Sequence, residues 1–194
     1  MTPEQFKLEW ETAGDMLCRF YADELQGLGL KSQTVDFLKV AGLPGFAEPF
    51  LSFVQNDDDQ LNRMRRLRDV YEFLGEEFEK YVLIGWDGVG DPIVVNIEEN
   101  DAIESLDHES GFSSYYFNSS ISTMAECLLV QRNFVDLVDR ENGPESYSNS
   151  NFTDAQFETL KTGILAVDPD ALQDDGFWKV SLEVELTLRD GDDE

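Results

Sequence analysis

The sequence predicts an α+β domain, on three observations. Apolar residues recur at helical three- and four-residue steps near the start and again after residue 120. Between those stretches, "YVLIG" and "PIVVNI" are short β-branched runs flanking a glycine-and-aspartate turn, the pattern of an antiparallel hairpin. With 194 residues and 41% hydrophobic content, the chain suffices for one core and is short for two. The expected organisation is one domain over residues 1–189 and a disordered acidic tail at 190–194.

The elements follow in order. Thr2 as N-cap, Pro3 at the first helical position and Gln5 reaching back form a capping box. Phe6, Trp10, Ala13, Leu17, Phe20 and Tyr21 then predict one amphipathic helix to about Gln26. "SQTVDFLKVAG" predicts a second helix from Ser32, stopped at Gly42 with Leu43 and Pro44 beyond it. "EPFLSFVQ" reads as a strand, whereas "NDDDQLNRMRRLRDVYEF" has no clear period. After the central hairpin, "AIESLDH" and "SSYYFN" supply two further strand candidates. Ile121, Met124, Ala125, Leu128 and Leu129 return to a helical face, capped by Ser119 or Ser120. "ENGPESYSNSN" is a polar connector. Thr153 and Gln156 form a second capping box there, with Phe152 and Phe157 placed as a hydrophobic staple, and that helix runs to about Ala166. The strict alternation of Val180, Leu182, Val184, Leu186 and Leu188 reads as a final strand.

Charge is the outlier of the composition. Asp and Glu number 41 against 14 Lys and Arg, a net −27, and no Lys or Arg occurs from Tyr81 to Gln131. Such a field repels nucleic acid and anionic membranes and favours basic partners, although acidity also serves solubility. The start has no basic segment followed by an apolar one, and no run approaches the roughly 18 apolar residues of a membrane helix. A cytoplasmic location is therefore expected, with Cys18 and Cys127 as reduced thiols. Arg63, Arg65, Arg66 and Arg68 make the one basic cluster, a surface counterweight in so acidic a chain.

Site motifs fail on spacing. Gly85, Gly88 and Gly90 do not complete GxGxxG, and a strand follows them where a dinucleotide site needs a helix N-terminus. "GLGLKS" has Leu30 where a phosphate loop requires glycine. The aspartates around Gly88 lack the alternation and distal glutamate of a calcium loop, and one His with two distant Cys cannot close a zinc site. His108 lies between Asp107 and Glu109, but no GxSxG elbow accompanies it, and a hydrogen-bonding histidine accounts for the pattern. No catalytic residue, metal or cofactor is expected. Gly88 and Gly90 are read as positive-φ turn residues, with Asp87 and Asp91 bonding nearby N–H groups. Asn118-Ser119-Ser120 and Asn151-Phe152-Thr153 match the glycosylation pattern, but helix capping explains both.

"FLKVAGLP", "IGWDGVGDPIVVNI", "DHE" and "FNSSISTMAECLL" together resemble the SUKH superfamily over Phe37 to Leu129. That group takes in the yeast cell-wall regulator of the Smi and Knr type and many bacterial immunity proteins. The resemblance implies a mostly antiparallel central sheet flanked by helices. It implies a bacterial immunity protein that binds a polymorphic toxin, often a nuclease or deaminase; a scaffold or regulator of the same fold is the alternative. Gly85, Asp87, Gly88, Gly90, Asp91, His108, Glu109, Asn118, Ser119 and Ser120 match the motif and are expected to define the fold. Combined with the charge, the expected partner is a basic toxin domain, not nucleic acid or membrane. The expected contact residues are Trp86, Asp87, Asp91, Glu98, Glu99, Asp101, Glu104, Asp107 and Glu109. Phe112, Tyr115 and Tyr116 are further aromatic candidates, although core packing suits most of them.

Overall fold

The computed structural model describes residues 1–55 and 63–191. Helix α1 (Pro3–Thr12) has the expected capping box, Gln5 N donating to Thr2 Oγ1 at 3.2 Å and Thr2 N to Gln5 Oε1 at 3.0 Å. It does not continue to Gln26. The chain leaves the helix at Ala13, and Gly14 takes φ +100°, a helix stop that the apolar spacing conceals. Strand β1 (Leu17–Cys18) and the short helix α2 (Ala22–Leu25) follow. Of the residues expected on that face, Phe6, Trp10 and Phe20 are buried and Leu17 is half-buried, whereas Ala13 and Tyr21 are exposed. Helix α3 (Ser32–Val40) lies where expected, and Gly42 then leads into β2 (Leu43–Pro44), which pairs with β1.

The main sheet contains seven strands among the described residues. They are β3 (Phe46–Ala47), β4 (Leu51–Phe53), β5 (Arg65–Arg66), β6 (Tyr81–Trp86), β7 (Pro92–Asn96), β8 (Ala102–Asp107) and β9 (Ser113–Asn118). Its order is β3-β4-β6-β7-β8-β9, every pairing antiparallel, with β5 also on β6. The class is therefore α+β with a large antiparallel sheet. Both sheet faces are covered, which is why β6 and β7 read as continuous apolar runs rather than alternations. Val82, Ile84, Ile93, Val95, Ile103 and Phe117 join the helix-side core. Leu83, Val94 and Leu106 meet a smaller cluster built from Leu67, Tyr71, Leu74, Phe78 and Phe112.

Residues 56–62 of the segment without a clear period lie outside the described residues; its remainder, with the residues up to Phe78, supplies the second cover, through β5 and 3₁₀ turns at Leu67–Asp69 and Glu76–Phe78. Its arginines pin it down: Arg66 donates to Glu79 O at 2.8 Å, and Arg68 donates to Leu74 O at 3.0 Å and pairs with the Glu79 carboxylate. Gly85 sits at the bulge in β6, where a Cβ would lie 2.4 Å from Ser52 O of β4. Its place in the motif is set by this close approach between strands.

Helix α4 (Ile121–Asn142) starts at the Ser120 cap, and α5 (Asp154–Val167) starts at the Thr153–Gln156 capping box. The staple rings of Phe152 and Phe157 stack at 5.8 Å. The largest correction concerns the C-terminal stretch. It is not a strand but helix α6 (Phe177–Asp190). Trp178, Leu182 and Glu185 are buried on one face, while Val180, Val184 and Leu188 form a second, exposed stripe. Two apolar stripes on opposite sides of a helix mimic strand alternation, because even-numbered positions fill both. The helix carries the chain through Asp190; the expected acidic tail lies, from residue 192 onward, outside the described residues.

Candidate functional site

The hairpin between β6 and β7 is held by its aspartates. Asp87 Oδ1 accepts from Val89 N at 3.0 Å and Asp91 N at 2.9 Å, and Gly90 takes φ +94°. Gly88, expected at positive φ, does not adopt it. A Cβ there would lie 2.9 Å from Phe50 Cβ, so Gly88 is needed because the β3–β4 bend packs on the turn. Burial pushes the Asp87 carboxyl above its usual range, even though the turn N–H groups oppose this.

The β8–β9 turn docks beside it. Asp91 Oδ1 accepts from His108 N at 2.9 Å and contacts His108 Nδ1 at 2.5 Å. The hydrogen bond to Asp91 is the main cause of a raised His108 pKa. Asp107 Oδ1 accepts from Glu109 N and Ser110 N, each at 2.9 Å, and its bonds with Ser110 hold that carboxyl low. His108 is a strut between two turns.

The motif residues at the far end of β9 form a buried lock. Asn118 Nδ2 and Ser119 N donate to Asp168 Oδ2 at 3.0 and 2.8 Å, and Tyr116 OH donates to the same carboxylate at 3.1 Å. Trp178 Nε1 donates to Asn118 Oδ1 at 3.0 Å, which ties α6 to the sheet. Burial opposes the ionised form of Asp168, but these donors outweigh it and the net shift is downward. Cys127 packs against the lock, and burial pushes its thiol up to about 12. Cys127 is a free thiol.

The acidic contact residues expected from the sequence do not share one face. Glu98 and Glu99 are exposed at the β7–β8 turn, whereas Asp87, Asp91, Asp107 and Glu109 gather at the opposite end of those strands. Asp101 is only 1% exposed and is withdrawn from the surface. Its Oδ2 accepts from Lys31 N at 2.7 Å and Thr34 Oγ1 at 2.6 Å, closing the start of α3. Glu104 is half-buried and accepts from Tyr81 OH at 2.9 Å and Asn96 Nδ2 at 2.7 Å. Trp86 is half-buried, its Nε1 3.4 Å from Tyr71 OH. Phe112 belongs to the smaller core, and Tyr116 to the Asp168 lock.

The acidic end opens onto a groove of about 580 Å³ between α6, the β6–β7 turn and the connector that follows α4. Phe50, Val89, Val180, Val184 and Leu188 present apolar surface to it. Asp87, Asp91, Asp107, Asp175 and Glu185 also line it, and among the described residues no Lys or Arg does. None of the apolar five was identified from the sequence. The available signal was the second apolar stripe of α6, hidden by its strand-like alternation. Among the described residues, no group of His, Cys, Asp and Glu is arranged to hold a metal ion. No helix among them is long and apolar enough to cross a membrane.

The family model that matches this chain belongs to the SUKH superfamily. The chain belongs to the SUKH-4 immunity protein family, whose model matches residues 5–184. The match takes in most of α1 and the first half of α6, beyond the Phe37–Leu129 stretch that carries the resemblance in sequence. Membership supports a bacterial immunity role. Comparison with curated proteins and with solved structures gives no match.

Proposed function

We propose that this chain is a cytoplasmic, non-catalytic immunity protein. It neutralises a basic toxin domain of the nuclease or deaminase class by direct contact through its acidic surface. The observation that carries this reading is a groove lined, among the described residues, by five acidic side chains and no Lys or Arg, in a family of immunity proteins. A toxin that grips nucleic acid must present Lys and Arg where phosphates lie, and an acidic protein competes for that surface. The net charge of −27 steers such a partner, and steered association reaches about 10⁸–10⁹ M⁻¹s⁻¹ at low salt. Apolar side chains within the acidic rim provide the desolvated centre that tight complexes need. Asp87, Asp91, Asp107 and Glu109 stand at the contact end, and Glu98 and Glu99 contribute to the field from the other.

The test is co-expression with the toxin domain encoded beside this gene. Cells should survive with the chain and die without it. Survival that needs no such chain leaves the scaffold or regulator reading. Exposed Glu48 and Glu109 lie near the groove end without belonging to the core. Reversal of both to Lys should slow association on the order of tenfold at low salt, with a smaller effect at high salt, by stopped-flow measurement. Reversal of Glu98 and Glu99 should slow it less.

A further inference from the structure

We infer that the groove between α6 and the β6–β7 turn receives a protruding segment of the toxin that carries an apolar side chain beside a lysine or arginine. This rests on the proposed immunity role and specifies what the partner must insert.

The first support is the doubled amphipathicity of α6. One apolar stripe is spent on the core; the second, Val180, Val184 and Leu188, is 50%, 51% and 62% exposed. Facing it across the groove, Val89 and Phe50 are 75% and 73% exposed. A clustered apolar wall of this kind marks a contact surface, where scattered exposed residues would not. Phe50 adds a backbone argument. Its φ of 59° is unfavourable for an aromatic residue, yet the fold holds it there and leaves the ring in solvent.

The second support is a buried acceptor without a donor at the groove's base. Glu185 is 7% exposed. Its Oε1 accepts from Gln131 Nε2 at 2.7 Å and from Tyr147 OH at 3.1 Å, but Oε2 has no hydrogen-bond partner among the described residues. Gln131 Oε1 beside it also has none. Buried acceptors left open carry a desolvation penalty, and of the two residues Glu185 lines the groove, the side from which a donor can be supplied. The nearest cation of α6, Arg189, is engaged by Asp154 and Asp190 and stacks on Phe152, so it does not fill this role.

Charge selects the occupant. Nucleic acid and a second copy of a chain at −27 would each bring like charges onto the five carboxylates. A purely apolar ligand would leave those carboxylates and Glu185 Oε2 unanswered. A protein segment with an apolar tip and a basic neighbour meets both surfaces.

The experiment is calorimetric titration of the purified chain with the toxin domain encoded beside its gene. Val184→Lys and, separately, Leu188→Lys alter exposed positions of α6 and should each weaken binding about thirty-fold or more. Glu185→Gln should weaken it about tenfold while the melting temperature stays level or rises, because a buried charge is removed. Leu8→Lys, on exposed α1 away from the groove, should bind as the unmodified chain does. The inference is overturned if the unmodified chain binds and the three groove variants bind equally well; the immunity role would then stand with another contact surface. If the unmodified chain binds nothing, the proposed function falls and the groove assignment with it.

Discussion

Replacing Trp178 by alanine is expected to destabilise the protein by about 5 kcal/mol, the larger of two effects centred on one buried lock. The indole is fully buried and packs against Phe117 and Phe177 at ring-centroid distances of 5.6 and 5.4 Å. Truncation leaves a large cavity, and it also removes the donor to Asn118 Oδ1 in a site that water does not reach. Trp178→Phe separates the two contributions: it keeps most of the ring and should cost about 1–3 kcal/mol for the lost N–H and residual space. Urea denaturation followed by circular dichroism reads both values. If Trp178→Ala cost less than 1 kcal/mol, α6 would not be anchored to β9 as described.

Asp168→Ala should cost about 3 kcal/mol at pH 7, since it strands several donors at once. Asn118 Nδ2, Ser119 N and Tyr116 OH all lose their acceptor, and the site is 2% exposed. The effect should depend on pH in a fixed direction. The folded carboxyl titrates below its ordinary value of 3.8, so its contribution is complete above that value and disappears as pH falls through the folded pKa. The stability gap between Asp168→Ala and the unmodified chain should therefore narrow below about pH 4. Because both lesions act through Asn118, the double variant with Trp178→Ala should be less destabilised than the separate costs combined. Additive costs would show that the two sides of the lock are independent.

The lock also explains why one part of the fold was legible in the sequence and another was not. Local signals sufficed where the physics is local: both capping boxes, the Phe152–Phe157 staple, the Asp87–Asp91 turn and the four strands from Tyr81 to Asn118 all formed. They failed where a distant contact decides. The periodicity of the first helix ran through Gly14, whose positive φ ends it, and Leu17–Cys18 turned away to pair with Leu43–Pro44. Residues 63–73 show no clear period because scattered apolar and aromatic contacts with the sheet hold them. Alternation in α6 imitates a strand because its even-numbered positions fill both the buried and the exposed apolar stripe of the helix.

The outline of the candidate groove is not legible in the sequence. The absence of Lys and Arg from Tyr81 to Gln131 pointed to an acidic surface, but carboxylates adjacent in sequence face different ways. Asp101 turns inward to α3, and Glu104 turns to Tyr81 and Asn96. The groove joins residues 50, 89 and 180–188, which only tertiary structure brings together.

Direct, charge-steered capture of a basic toxin domain is tested most directly by the association of the two purified proteins as salt is varied. The expected result is a stable complex whose association rate falls steeply between low and high ionic strength while its dissociation rate changes little. A toxin domain that forms no complex with the purified chain, or associates at a rate independent of salt, would contradict it.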